Sequence, residues 1–155
     1  MDETNDQEPD ALAQLAHEFP RVFKGVQPSG SYLSRGWVAL VRELVREIDA
    51  LVGDEHDFRI LQLKEKFGTL RFYFQVDGRK TINADLFLPD GTKRIQIPPH
   101  DVDELFVKLR ERVARAEAES ALICERCGAP GVLQRSGWWK VRCAPAWTAA
   151  PTRWA

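Results

Sequence analysis

Three thiols carry the most legible chemistry of this chain. Cys124 and Cys127 stand two residues apart and are followed by Gly128, with fifteen residues between Cys127 and Cys143. Two thiolates at that spacing converge on one metal ion while a glycine lets the backbone turn beneath them. Zinc is the ion that prefers such soft, tetrahedral ligand sets. A complete site takes four ligands, and Ala146 stands where a second Cys-x-x-Cys would supply the last. Cys124, Cys127 and Cys143 are therefore expected to hold zinc. His17, His56, a water or a thiolate of another chain are left as the fourth ligand. His100 lies at the far end of a predicted helix of about 21 residues, roughly 32 Å long, and is a poor candidate. Nothing near the thiols resembles the Glu general base of a zinc hydrolase or deaminase, so a structural role is expected for the metal.

Two further groups invite binding rather than catalysis. Lys64, Lys66 and Arg71, with Tyr73, form a cationic and aromatic stretch that could hold an anion such as a phosphate. The plainer expectation is a solvated hairpin face with Glu65 and Arg71 paired across strands. Phe67, Phe72 and Phe74 are expected in the core. Four of the five tryptophans fall late in the chain, at 138, 139, 147 and 154. Tryptophan is costly to expose and is enriched at binding hot spots. Trp138, Trp139, Trp147 and Trp154, with Arg126, Arg135, Lys140 and Arg142, are the candidate partner-binding residues. No nucleophile elbow, phosphate loop, His-Glu-x-x-His or dinucleotide fingerprint is present.

The elements that must position these groups follow from periodicity. Residues 1–9 read as a disordered acidic leader. Asp10 is expected to cap a short helix with Leu12, Leu15, Ala16 and Phe19 on one face, ended by Pro20. Residues 21–34 read as a loop. Ser34 is expected to cap a helix with Trp37, Leu40, Val41, Leu44, Ile48 and Leu51 on one stripe, stopped at Gly53. From Asp57 the period becomes two. Turns at Phe67-Gly68, Asp77-Gly78 and Pro89-Asp90-Gly91 separate four strands of an antiparallel meander. The last two carry Ile82, Ala84, Leu86, Leu88, Ile95 and Ile97. Asp101 and Glu104 suggest a capping box for a second long helix with Val102, Leu105, Phe106, Leu109, Val113 and Ala116 on its stripe. The expected fold is α+β: the meander with both helices on one face. The organisation is 10–123 as the α+β domain, 124–146 as a zinc-ribbon-like knuckle and 147–155 as a Trp-containing tail. Within the knuckle, Pro130-Gly131 opens a ribbon, Ser136-Gly137 is its tip, and Trp138 and Trp139 lie on the returning strand.

One resemblance adds to this. Gly36-Trp37, the run Lys64-Glu65-Lys66-Phe67-Gly68-Thr69-Leu70-Arg71-Phe72-Tyr73, Cys124-Glu125-x-Cys127-Gly128-Ala129-Pro130-Gly131, Gly137-Trp138 and Cys143 together resemble an uncharacterised family of short phage and bacterial proteins. The resemblance spans roughly 36–143. It implies a second Cys-x-x-Cys, from which this chain departs at Ala146. The segment of about 79–98 is longer than the family's usual connection, and no activity is implied.

Composition bounds the rest. The 155 residues are 44% hydrophobic and 29% charged, with net charge −1, as in an ordinary soluble globule. The longest apolar runs are a few residues, so no membrane span is expected. The acidic start is unlike a signal peptide, and the odd cysteine count favours reduced thiols, so cytoplasmic residence is the default. Residues 1–19 hold six acids and no Lys or Arg. A protein partner, in the manner of phage accessory, anti-defence or toxin-immunity proteins, is the first expectation. A nucleic-acid partner held by the basic, Trp-containing knuckle is the second.

Overall fold

The computed structural model describes residues 10–24 and 30–144. The acidic leader, Ala146, Trp147 and Trp154 lie outside the described residues.

Asp10 caps α1 (Ala11–Glu18) by accepting from the Leu12 N–H at 3.1 Å. Pro20 ends that helix and begins another, α2 (Pro20–Phe23), because its fixed φ suits the first helical position. The loop expected from residue 21 is thus one helical turn shorter, and Val22 and Phe23 are buried. A 3₁₀ turn, Arg35–Trp37, leads into α3 (Val38–Val52). Ser34 precedes that turn with no side-chain cap hydrogen bond.

Strands β1 (Phe58–Lys66) and β2 (Thr69–Val76) form an antiparallel hairpin. Its two-residue turn has positive φ at both Phe67 (54°) and Gly68 (77°), the twist that right-handed strands require. A bulge at Leu61 shifts the side-chain parity, so Leu63 shares the core face with Phe58 and Ile60. The same shift sets Lys64 opposite Arg71 and Glu65 opposite Leu70. Glu65 therefore does not pair with Arg71; it accepts from the Gly68 N–H at 2.6 Å.

The expected four-stranded meander is split. Strand β3 (Arg79–Lys80) pairs with the end of β2 for two residues. Beyond it, β4 (Ile82–Leu88) and β5 (Gly91–Ile97) form a separate hairpin. The reason lies in α4 (Glu104–Ser120), which occupies the edge of β2 that a meander would need. Ser120 Oγ accepts from the Leu70 N–H at 2.9 Å, and Glu117 Oε1 accepts from the Phe72 N–H at 3.2 Å. Two side chains thus satisfy an edge that would otherwise recruit a strand. Asp103, not Asp101, caps α4, accepting from the Phe106 N–H at 2.8 Å.

Both long helices lie on one face of the β1–β2 hairpin. Trp37, Val41, Val45 and Ile48 meet Phe106, Leu109 and Val113 over Leu63, Leu70, Phe72 and Phe74. Glu47 of α3 binds both Arg112 and Arg115 of α4, at 3.0 and 2.8 Å. The β4–β5 hairpin lies against the opposite, polar face. The fold is α+β. No helix among the described residues is long and apolar enough to cross a membrane.

Ser120 gives the first test. It is fully buried and its hydroxyl is the partner of a core-strand N–H. Ser120→Ala removes little volume but leaves that N–H without an acceptor, at a cost of about 2 kcal/mol. Urea unfolding should show a lower midpoint with unchanged slope.

Candidate metal knuckle and aromatic groove

The ligand atoms of Cys124, Cys127 and Cys143 all lie within 4.8 Å of one another. Cys127 Sγ and Cys143 Sγ are 3.4 Å apart, and none of the three is in a disulfide. The backbone builds this cluster in short steps. The Gly128 N–H donates to the Cys124 carbonyl at 2.9 Å, with Gly128 at φ 80°. The Cys124 N–H donates to the Ala129 carbonyl at 2.7 Å. Strands β6 (Val132–Gln134) and β7 (Lys140–Arg142) then return the chain, and Glu125 N–H to Val141 O at 3.1 Å ties the second arm to the first.

The donors aim at sulfur. Burial alone would raise the Cys124 thiol. The backbone N–H groups of Cys143, Cys127 and Arg126, with the Cys127 thiol, outweigh it and bring the pKa from 9.0 down to about 7. A pocket of N–H groups around a buried sulfur favours thiolate, the form that binds a metal ion. Three converging thiols and this donor set fit a metal site. Among the described residues no His, Asp, Glu or further Cys joins the cluster. His56 is engaged elsewhere, with Asp77 at 2.8 Å.

The knuckle is locked to the α+β body rather than hung from it. The Gly36 N–H donates to the Glu125 carbonyl at 2.8 Å, and the buried Trp37 indole donates to the Ile123 carbonyl at 3.0 Å. A Cβ on Gly36 would overlap the Cys124 carbonyl oxygen. Gly68 in the β1–β2 turn is pressed the same way against Leu133 and the Lys140 backbone. The separated sequence motifs Gly36-Trp37, Phe67-Gly68 and Cys124-x-x-Cys127 are thus three sides of one contact.

That contact creates a groove. Trp138 and Trp139 sit in the turn between β6 and β7, not on the returning strand. Trp139 meets Phe67 edge-on at 6.0 Å, and Phe67 meets Phe87 of β4 at 6.3 Å. Phe67 is consequently a half-buried bridge at the molecule's end, not a core residue; its left-handed turn conformation directs it there. Phe72 and Phe74 are in the core. Lys64, Lys66, Phe67, Thr92, Gly137, Trp138 and Trp139 line an open groove of about 530 Å³, with Glu65 on its wall. Trp138 is 77% exposed.

The cations divide into paired and open. Lys66 is bound by Asp85, and Arg142 by Glu125 at 2.7 Å. Arg135 covers the Trp139 ring at 5.1 Å. Arg126 is exposed, Lys140 half-buried. On the β1–β2 face, Lys64 and Arg71 stand directly opposite, a repulsive pair. Asp85 is the acid beside them: the Lys66 ammonium, with Arg71 and Arg94 further off, holds its carboxyl below the usual range despite burial. Arg71 Nε is buried and has no hydrogen-bond partner among the described residues. Lys64, Lys66 and Arg71 are thus brought together, with Lys64 and Lys66 also bordering the groove.

Sequence reasoning missed Thr92 as a neighbour of the tryptophans and Phe87 as the partner of Phe67. Their only signal was alternation in β4 and β5, which does not reveal where the hairpin docks. No protein-family model, no curated protein and no solved structure matches this chain.

Proposed function

We propose that this chain is a non-enzymatic protein-binding module. A structural zinc ion held by Cys124, Cys127 and Cys143 braces the ribbon, and the groove beside it receives a partner protein. The observation that carries this reading is Trp138, 77% exposed at the rim of a groove walled by Trp139 and Phe67. An exposed tryptophan on a braced loop loses little entropy on contact and suits a hot spot. Phage accessory, anti-defence and toxin-immunity proteins are of this size and make-up, which suggests the class by analogy, and reduced thiols fit the cytoplasm. Nucleic acid is the second reading, favoured by Arg135 stacked on Trp139 beside Lys64. Two of the nominated cations, Lys66 and Arg142, are already neutralised by Asp85 and Glu125, which weighs toward the protein partner.

Tagged protein should capture one dominant protein from a native lysate. Trp138→Ala should weaken that complex by about 2 kcal/mol, roughly 30-fold, with unchanged thermal stability. Trp147→Ala and Trp154→Ala test the tail in the same assay. A gel shift with single-stranded or duplex nucleic acid at low salt, and no captured protein, would favour the second reading instead.

A further inference from the structure

The β4–β5 hairpin is mounted inside out. In β4, Asn83 and Asp85 turn toward the body, and in β5 so does Arg94. Asp85 binds Lys66, and Arg94 binds Glu117 of α4 and lies over the Tyr73 ring at 5.6 Å. Asn83 Oδ1 accepts from Arg94 at 3.2 Å and from Gln96 at 3.0 Å. These bonds fix which face is inward, because a one-residue slip would turn every one of them to solvent.

The outward face is the apolar one. Ile82 opposes Ile97, Ala84 opposes Ile95, Leu86 opposes Lys93, and Leu88 opposes Gly91. Ile82 is 60% exposed and Ile97 54%, with Leu86 and Leu88 also exposed. β-Branched and leucine side chains alternating on one side of a hairpin are the pattern of a packed sheet face, yet this chain places nothing over it among the described residues.

We propose that this face is covered by the same face of a second copy, forming a two-fold dimer through the stacked hairpins. The charge distribution selects that occupant. Of the eight face positions only Lys93 is charged, so the surface does not repel itself and offers no pattern for a charged partner to read. A two-fold contact needs only self-complementarity, and apolar sheet faces stack at about 10 Å. Seven-residue strands are about 24 Å long. Two such faces bury on the order of 1,000 Å², the low end of specific interfaces, which makes the dimer reversible.

Sedimentation of the full chain from about 5 to about 500 µM should show monomer passing to dimer in the tens of micromolar, the regime of a small apolar contact. Leu86→Glu and Ile97→Glu should each weaken dimerisation at least about tenfold without altering the monomer's melting, since both side chains face solvent in the monomer. Trp138→Ala should leave dimerisation unchanged, which separates this proposal from that of the groove. Hydrogen exchange within 82–97 should slow as concentration rises. A monomer throughout, a dimer indifferent to both glutamates, or a face that instead takes up lipid vesicles would overturn it.

Discussion

Removing the zinc ion proposed for the knuckle with a chelator is expected to lower the melting temperature by about 10 °C. The reasoning is linkage: a ligand present at about a thousand times its dissociation constant stabilises the folded state by about 4 kcal/mol. In a chain of this size each kcal/mol is worth about 2–4 °C. Reduced protein should take up one equivalent, measured by elemental analysis. Cobalt in place of zinc should give the intense charge-transfer absorption of thiolate ligation. Cys143→Ser should lose most of the metal and the stabilisation together. Affinity should fall as the pH drops below about 7, because protons compete for the sulfurs and Cys124 titrates near there. Ala146→Cys should tighten binding if the fourth ligand position lies in that frame, and leave it unchanged if the ligand comes from elsewhere. Well under one equivalent of metal in fully reduced protein would defeat the zinc assignment.

Gly36→Ala is expected to be nearly as damaging, though Gly36 is no ligand. Its added methyl would overlap the Cys124 carbonyl and crowd the Gly128 nitrogen, both backbone atoms that cannot rotate away. The 3₁₀ turn and the knuckle must therefore separate. That weakens the Gly36–Glu125 and Trp37–Ile123 hydrogen bonds and loosens the packing beneath the thiols. A cost of about 3 kcal/mol follows, the upper range for overpacking a close contact. Calorimetry should show the lower melting point, and metal competition should show weaker binding, because the site's second half is no longer held. Gly53→Ala is the control. A Cβ there meets nothing within 4 Å, but φ 50° with ψ −147° is a backbone conformation almost confined to glycine, so stability should fall by about 1–3 kcal/mol while metal affinity is unchanged. Equal effects of the two changes on metal affinity would show that Gly36 matters only as a flexible residue.

Much of this protein was determined locally. The stripes of α3 and α4, the alternation of β2, the left-handed turns at Gly68 and Gly78 and the Cys-x-x-Cys pair each depend on residues a few positions apart, so periodicity and turn chemistry reveal them. Tertiary structure decided everything that depends on an edge or a face. The edge of β2 went to Ser120 and Glu117 of a helix some fifty residues away, and the meander broke there. The bulge at Leu61 moved the register so that Lys64, not Glu65, faces Arg71. Alternation in β4 marked a strand with an apolar side, but period two has no sign: it cannot say which side meets the body. The ion pairs of Asp85 and Arg94 chose the polar one. The three thiols were legible as a set. Only their docking on Gly36 and Gly68 placed Trp138 and Trp139 beside Lys64 and Phe67, because close backbone packing between distant segments leaves no spacing in the sequence to read.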